Sequence, residues 1–200
     1  MNAPEQQLFV LAERALTSVI EQIEDDQWDL PVPSEAAMSG GTVRDMVIAH
    51  ARDDQWVGHV LAGRTIEDGK ALFPEQPPGL GLGADLKAGW RAISDRAVAD
   101  ALALDDPDRP VHLSFGSIGD FTAREYLQQI IAYRGLQAWD LARVLSVPDT
   151  LPEDLVTGML AMLAPVAEQW RAWGVFGPAV PVPGDSSAQD QLLGLAGRRP

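Results

Sequence analysis

An all-helical bundle is the fold this sequence predicts, and three observations carry that reading. Apolar residues recur at three- and four-residue steps over long stretches, Pro, Gly or clustered acids break those stretches, and alternation of period two is confined to one short segment. Four long amphipathic helices around one core, with one long crossover, satisfy all three. Composition agrees, since 46% apolar and 22% charged residues in a chain of 200 are ordinary for a domain that buries a single core.

The first helix is expected over about 5–23, where Leu8, Ala12, Ala15, Val19 and Ile23 share one face. Trp28, Leu30 and Val32 follow in a loop, because Pro31 and Pro33 prevent helix continuation. After Gly40 and Gly41, Thr42 and Asp45 mark the next start as a capping box with Asp in place of Glu. That second helix carries Val43, Met46, Val47, Val57, Val60 and Leu61. Residues 63–83 are rich in Gly and Pro with little periodicity, and a crossover of that length is typically functional or mobile rather than a tight turn.

The third helix, over about 85–104, turns Leu86, Trp90, Ile93, Ala97 and Ala101 inward and is broken by residues 105–110. Val111, Leu113 and Phe115 then alternate with His112 and Ser114 ahead of a turn at 116–119, which predicts a short hairpin. The fourth helix starts at Thr122, with a capping box to Glu125, and runs through Leu127, Ile130, Ile131, Ala138, Leu141 and Leu145 to the break at Pro148. Pro152 opens a fifth helix reaching about 173. The domain organisation is therefore a bundle over 1–175, with a Pro-rich connector and a short last helix over 176–200 packed on it.

The balance of 15 basic to 29 acidic residues gives a net charge of −14. Such a surface repels phosphate backbones and anionic lipids, so neither nucleic acid nor membrane is expected as a partner. No cysteine is present, which removes disulfides, thiolate metal sites and a cysteine nucleophile together. The first residues lack a basic segment leading into an apolar stretch, and no apolar run nears the roughly 20 residues a bilayer requires. A cytoplasmic location is the expectation. Residues 79–83 are not followed by Lys-Ser/Thr, so no phosphate cradle is read there.

Five segments, in order, carry a resemblance. They are Gln27-Trp28-Asp29, Thr42-Val43-Arg44-Asp45, Val111-His112-Leu113-Ser114-Phe115-Gly116, Ala138-Trp139-Asp140-Leu141-Ala142-Arg143 and the tail from Phe176 to Pro183. Together they resemble the family of mycothiol-dependent maleylpyruvate isomerase-like and DinB-like proteins. The resemblance implies a DinB-like four-helix bundle with a pocket between the second and fourth long helices. It also implies a divalent metal held by a histidine of the second helix and an acidic residue and a histidine of the fourth, and it is compatible with a homodimer. Here those three positions are Ala49, Tyr133 and Gln137. Alanine cannot ligate, and tyrosine and glutamine are poor substitutes for carboxylate and imidazole, so no metal is expected. No cofactor is expected from the residues themselves, and mycothiol is the one the resemblance allows.

At about 100° per residue, the apolar stripe of the second helix has His50 near its centre, Asp54 within it and Asp53 at its edge. The stripe of the fourth helix has Arg134 near its centre. Both central positions are usually apolar in the family that the chain resembles. A lone buried arginine costs several kcal/mol or draws water inward, so it needs a partner, and Asp53 or Asp54 is the nearest candidate.

Two readings follow. In one, His50, Asp53, Tyr133 and Arg134 are catalytic and Asp54, Trp56, Gln137 and Asp140 contact the substrate. Arg134 then holds a carboxylate or enolate, His50 moves protons and Tyr133 donates to an oxyanion. In the other, Arg134 and Asp54 form a structural ion pair and His50 is a satisfied core imidazole. His59 is read as exposed, and His112 as exposed or at the pocket rim. The function expected is a metal-independent small-molecule enzyme of isomerase or cyclase type, in specialised metabolism. A thiol-dependent isomerase or transferase and a non-catalytic binding or regulatory homologue are the alternatives.

Overall fold

The computed structural model describes residues 3–33, 41–73, 85–113 and 121–200, and it is mostly helical. α1 (Pro4–Ile20) opens on a proline, whose missing N–H is one that a first helical turn leaves unpaired anyway. α2 (Val43–Leu61) begins at the expected capping box, with the Asp45 amide donating to Thr42 Oγ1 at 3.2 Å and the Thr42 amide donating to Asp45 Oδ2 at 2.9 Å.

The stretch read as an aperiodic crossover contains a helix, α3 (Ile66–Leu72), capped by Thr65 and with Glu67 and Asp68 in its first turn. Seven residues are too few to show periodicity, so the cap was its only sequence signal. The rest of that crossover, 74–83, lies outside the described residues. α4 (Leu86–Leu102) is capped by Asp85.

β1 (Pro110–Val111) and β2 (Phe121–Thr122) pair antiparallel, Val111 opposite Phe121. These two pairs are the described part of the expected hairpin, and Ser114, Phe115 and the expected turn at 116–119 lie outside the described residues. Thr122 ends β2 and caps α5 (Ala123–Leu145), accepting from the Glu125 amide at 3.3 Å. One residue therefore fixes both the strand end and the helix start.

The single fifth helix expected from the sequence is two, α6 (Glu153–Leu163) and α7 (Ala167–Ala172). Pro165 lies between them. It has no N–H for the helical ladder, and its ring would meet the carbonyl four residues back. α8 (Ala188–Leu195) packs on α6 through the fully buried Leu192 and Leu193, which ties the C-terminal segment to the bundle.

α1 packs most extensively on α5, and α2 on α4, with α1 also crossing α4. α2 and α5 approach each other at few backbone points, so large side chains span the seam between them. Trp90 fills the centre with no exposure, and its indole N–H donates to Thr17 Oγ1 at 3.0 Å. The buried Gln6 amide donates to the carbonyls of Ala101 and Leu104 at 2.8 and 3.1 Å, tying α1 to the C-terminal end of α4. Among the described residues, no helix is long and apolar enough to cross a membrane.

Candidate functional site

Arg134 is fully buried at the seam. Leu127, Ile131, Arg134, Ala138 and Leu141 follow one another at three- and four-residue steps along α5, which places the guanidinium in the middle of an apolar face. His50 and Asp54 stand four residues apart on α2 and so share the face that meets it.

A guanidinium has five N–H groups, and four are committed within the protein. The Nε–H donates to Glu13 Oε1 at 3.0 Å. Nη2 donates to Asp54 Oδ1 at 2.5 Å and to the His50 carbonyl at 3.1 Å. Nη1 is hydrogen-bonded to His50 Nδ1, and the carboxylate of Asp53 lies 3.9 Å from Nη1. Arg134 is therefore shared among α1, α2 and α5. Ser94 of α4 completes the ring by donating to Glu13 Oε2 at 2.9 Å.

The donors expected to meet a substrate carboxylate are thus occupied by protein groups. Of the partners, Asp54 was expected from the sequence and Glu13 was not. A signal for Glu13 existed: it stands four residues after Phe9 and three before Leu16, both fully buried, so an acid was already on an inward line of α1. Ser94 similarly falls between Trp90 and Ala97 on the inner line of α4.

Burial dominates the electrostatics. It pushes the Glu13 carboxyl up to about 8, helped by the charge of Asp54 and opposed by Arg134. Burial also raises Asp54, with Arg134 pulling it back. For Arg134, burial alone would lower the value, but Asp54, Glu13 and Asp53 outweigh it and hold the guanidinium charged. His50 is pushed well below the ordinary imidazole range by burial and by the adjacent cation, so it is neutral. Its Nδ1 faces a donor and must accept, which leaves the proton on Nε2.

Tyr133 and Asp53 sit at the solvent side of this cluster. The Tyr133 ring lies 4.6 Å from that of His50 and 5.3 Å from the guanidinium carbon, and the residue is half-buried. Burial raises its phenol, so it stays a proton donor at neutral pH. The Asp53 side chain is 48% exposed, the only carboxylate of the cluster open to solvent among the described residues.

The remaining sequence candidates are placed elsewhere. Gln137 is buried and reaches Asp140 Oδ2 at 3.4 Å, while its interaction with His50 acts to raise that imidazole. Asp140 is held by Arg198 of the tail at 2.6–3.1 Å, a helix-to-tail clamp. Trp56 packs in a separate aromatic group with His59 and Phe73, ring centroids 5.5 and 5.4 Å away.

His59 itself corrects an expectation. It is buried, not exposed, and its Nε2 is 2.8 Å from the Thr65 carbonyl. The off-stripe face of α2 that bears it is covered by α3, where Gly69 presses on Trp56 and His59. His112 is exposed, as expected.

The metal positions implied by the resemblance do not converge as a donor set. Ala49 is exposed and brings no donor atom, and Tyr133 and Gln137 lie in the environments just described. Among the described residues, no group of three His, Asp or Glu side chains is placed to hold a metal ion. Surface depressions among the described residues include one of about 580 Å³ lined by residues 178–181, Gly197, Arg199 and Pro200, and one of about 280 Å³ between α1, α5 and the 148–152 loop. Neither is lined by His50, Asp54 or Arg134. Compared with family models, curated proteins and solved structures, the chain finds no match in any of the three.

Proposed function

We propose that this chain is a DinB-like, maleylpyruvate isomerase-like bundle that performs proton transfer on a small organic acid without a bound metal, as an enzyme of isomerase or cyclase type. One observation carries the reading: a fixed internal cation lies directly beneath an exposed carboxylate and a half-buried phenol. Asp53 is the base that meets solvent, and Tyr133 is the donor to a developing enolate oxygen. Arg134 and His50 act behind them as positioning residues. The guanidinium 5.3 Å from the Tyr133 ring favours negative charge developing at that edge. The chemistry balances simply, since a proton leaves a carbon next to a carbonyl for Asp53 and returns at another position.

Deuterium incorporation from D2O into a panel of enolisable 2-oxo acids, followed by NMR on chelator-treated protein, tests this. The expected result is exchange well above buffer for at least one acid, falling on the order of 10²-fold or more in Asp53→Asn. Exchange at the buffer rate throughout, or an unchanged rate in Asp53→Asn, overturns it. Exchange that requires added mycothiol places the chain with the thiol-dependent alternative.

A second reading has its own support. The committed donors and zero exposure of Arg134 favour a purely structural ion network in a non-catalytic binding homologue.

A further inference from the structure

Two buried acids, Glu13 and Asp54, share one buried guanidinium, and that pairing poses a question of protons. Glu13 Oε1 and Asp54 Oδ1 each accept from Arg134, and Glu13 Oε2 accepts from Ser94. Asp54 Oδ2 is buried and has no hydrogen-bond partner. A buried carboxylate oxygen that meets no donor is costly while the group is ionised, and a proton on the pair relieves that cost.

Charge counting agrees. Among the described residues, Arg134 is the only cation bonded to either acid. Of the facing groups, α1 supplies only Glu13, and α2 supplies Asp54, the neutral His50 and the half-exposed Asp53. Ser94 of α4 is uncharged, and Tyr126 and Tyr133 of α5 are both raised and protonated. Two fully ionised acids beside one buried guanidinium would leave an uncompensated buried charge.

We propose that Glu13 and Asp54 hold one proton between them, and that this shared proton is an alkaline-sensitive latch closing the α1–α2–α5 seam over Arg134. Loss of the proton leaves two charged acids on one guanidinium and loosens the seam that lies behind Asp53 and Tyr133. The latch stands whether or not the chain catalyses anything.

The sign of the pH dependence follows from linkage. Glu13 is raised from its ordinary 4.5 to about 8, so the folded state binds more protons than the unfolded state across that range, and stability falls as pH rises through it. His50 works the other way, being held neutral, so its contribution is lost as pH falls below its ordinary 6.5. The two oppose each other below pH 6.5, and Glu13 acts alone of the two above it.

Urea unfolding of the full chain between pH 6.5 and 8 reads this directly. The folded-to-unfolded ratio is expected to fall on the order of tenfold per pH unit at most, one proton's worth. Glu13→Gln, whose amide oxygen still accepts from Arg134 and which does not titrate, is expected to flatten the dependence to within about twofold across the same range. A flat wild type, or an equally steep Glu13→Gln, overturns the latch. Carbon-13 NMR of glutamate carboxyls in the wild type gives a reading that needs no variant. One carboxyl titrating near pH 8 is expected, and all glutamates titrating in the ordinary range overturns it.

Discussion

Around Arg134, the difference between an interior charge and a binding group comes down to how many donors remain. The sequence places His50, Asp54 and Arg134 inward through their helical spacing, and the structure brings all three into contact. It conceals the donor count, because Glu13 comes from a helix 121 positions away and no periodicity links the two. His59 was concealed for a related reason, since only tertiary folding of α3 covers that face. At this scale the sharpest expectation concerns His50. Its imidazole is neutral with the proton on Nε2, so nitrogen-15 NMR should show no titration near pH 6.5 and the pattern of a single neutral tautomer. A midpoint near 6.5 would mean that the ring is solvated, and the burial argument would fail with it.

Helix starts were legible element by element wherever a side chain closes the first turn, as at Thr42 with Asp45 and Thr122 with Glu125. The division of the chain into helices was not fully legible, because Pro165 divides the last long stretch and α3 is too short for periodicity to reveal. The tail was read as packed on the bundle, and its anchor is a bidentate contact between Arg198 and the buried Asp140 on α5. Asp140 in turn meets Gln137, so the tail is linked to the helix face that bears the cluster. Arg198→Ala leaves a buried carboxylate without its cation and should lower stability by about 1.5–3 kcal/mol. Hydrogen exchange across α8 should rise with it, and unchanged protection there would show that apolar packing of Leu192 and Leu193 holds the tail alone.

For the molecule as a whole, composition and periodicity suffice for an all-helical domain with one core, because those signals are repeated over dozens of residues. The site depends instead on single residues from different helices, where one unforeseen acid changes the chemistry. The same cluster unites the molecule mechanically, since one guanidinium carried by α5 binds groups of α1 and α2 where α2 and α5 otherwise approach little. The account's central claim is that Arg134 is this internal cation, on which both the seam and any chemistry at its edge depend. The most direct test is the unfolding free energy of Arg134→Leu against wild type at pH 7. A loss of about 3–5 kcal/mol is expected, the effect of removing one partner from a buried ionic network. An unchanged unfolding midpoint and slope would contradict the claim.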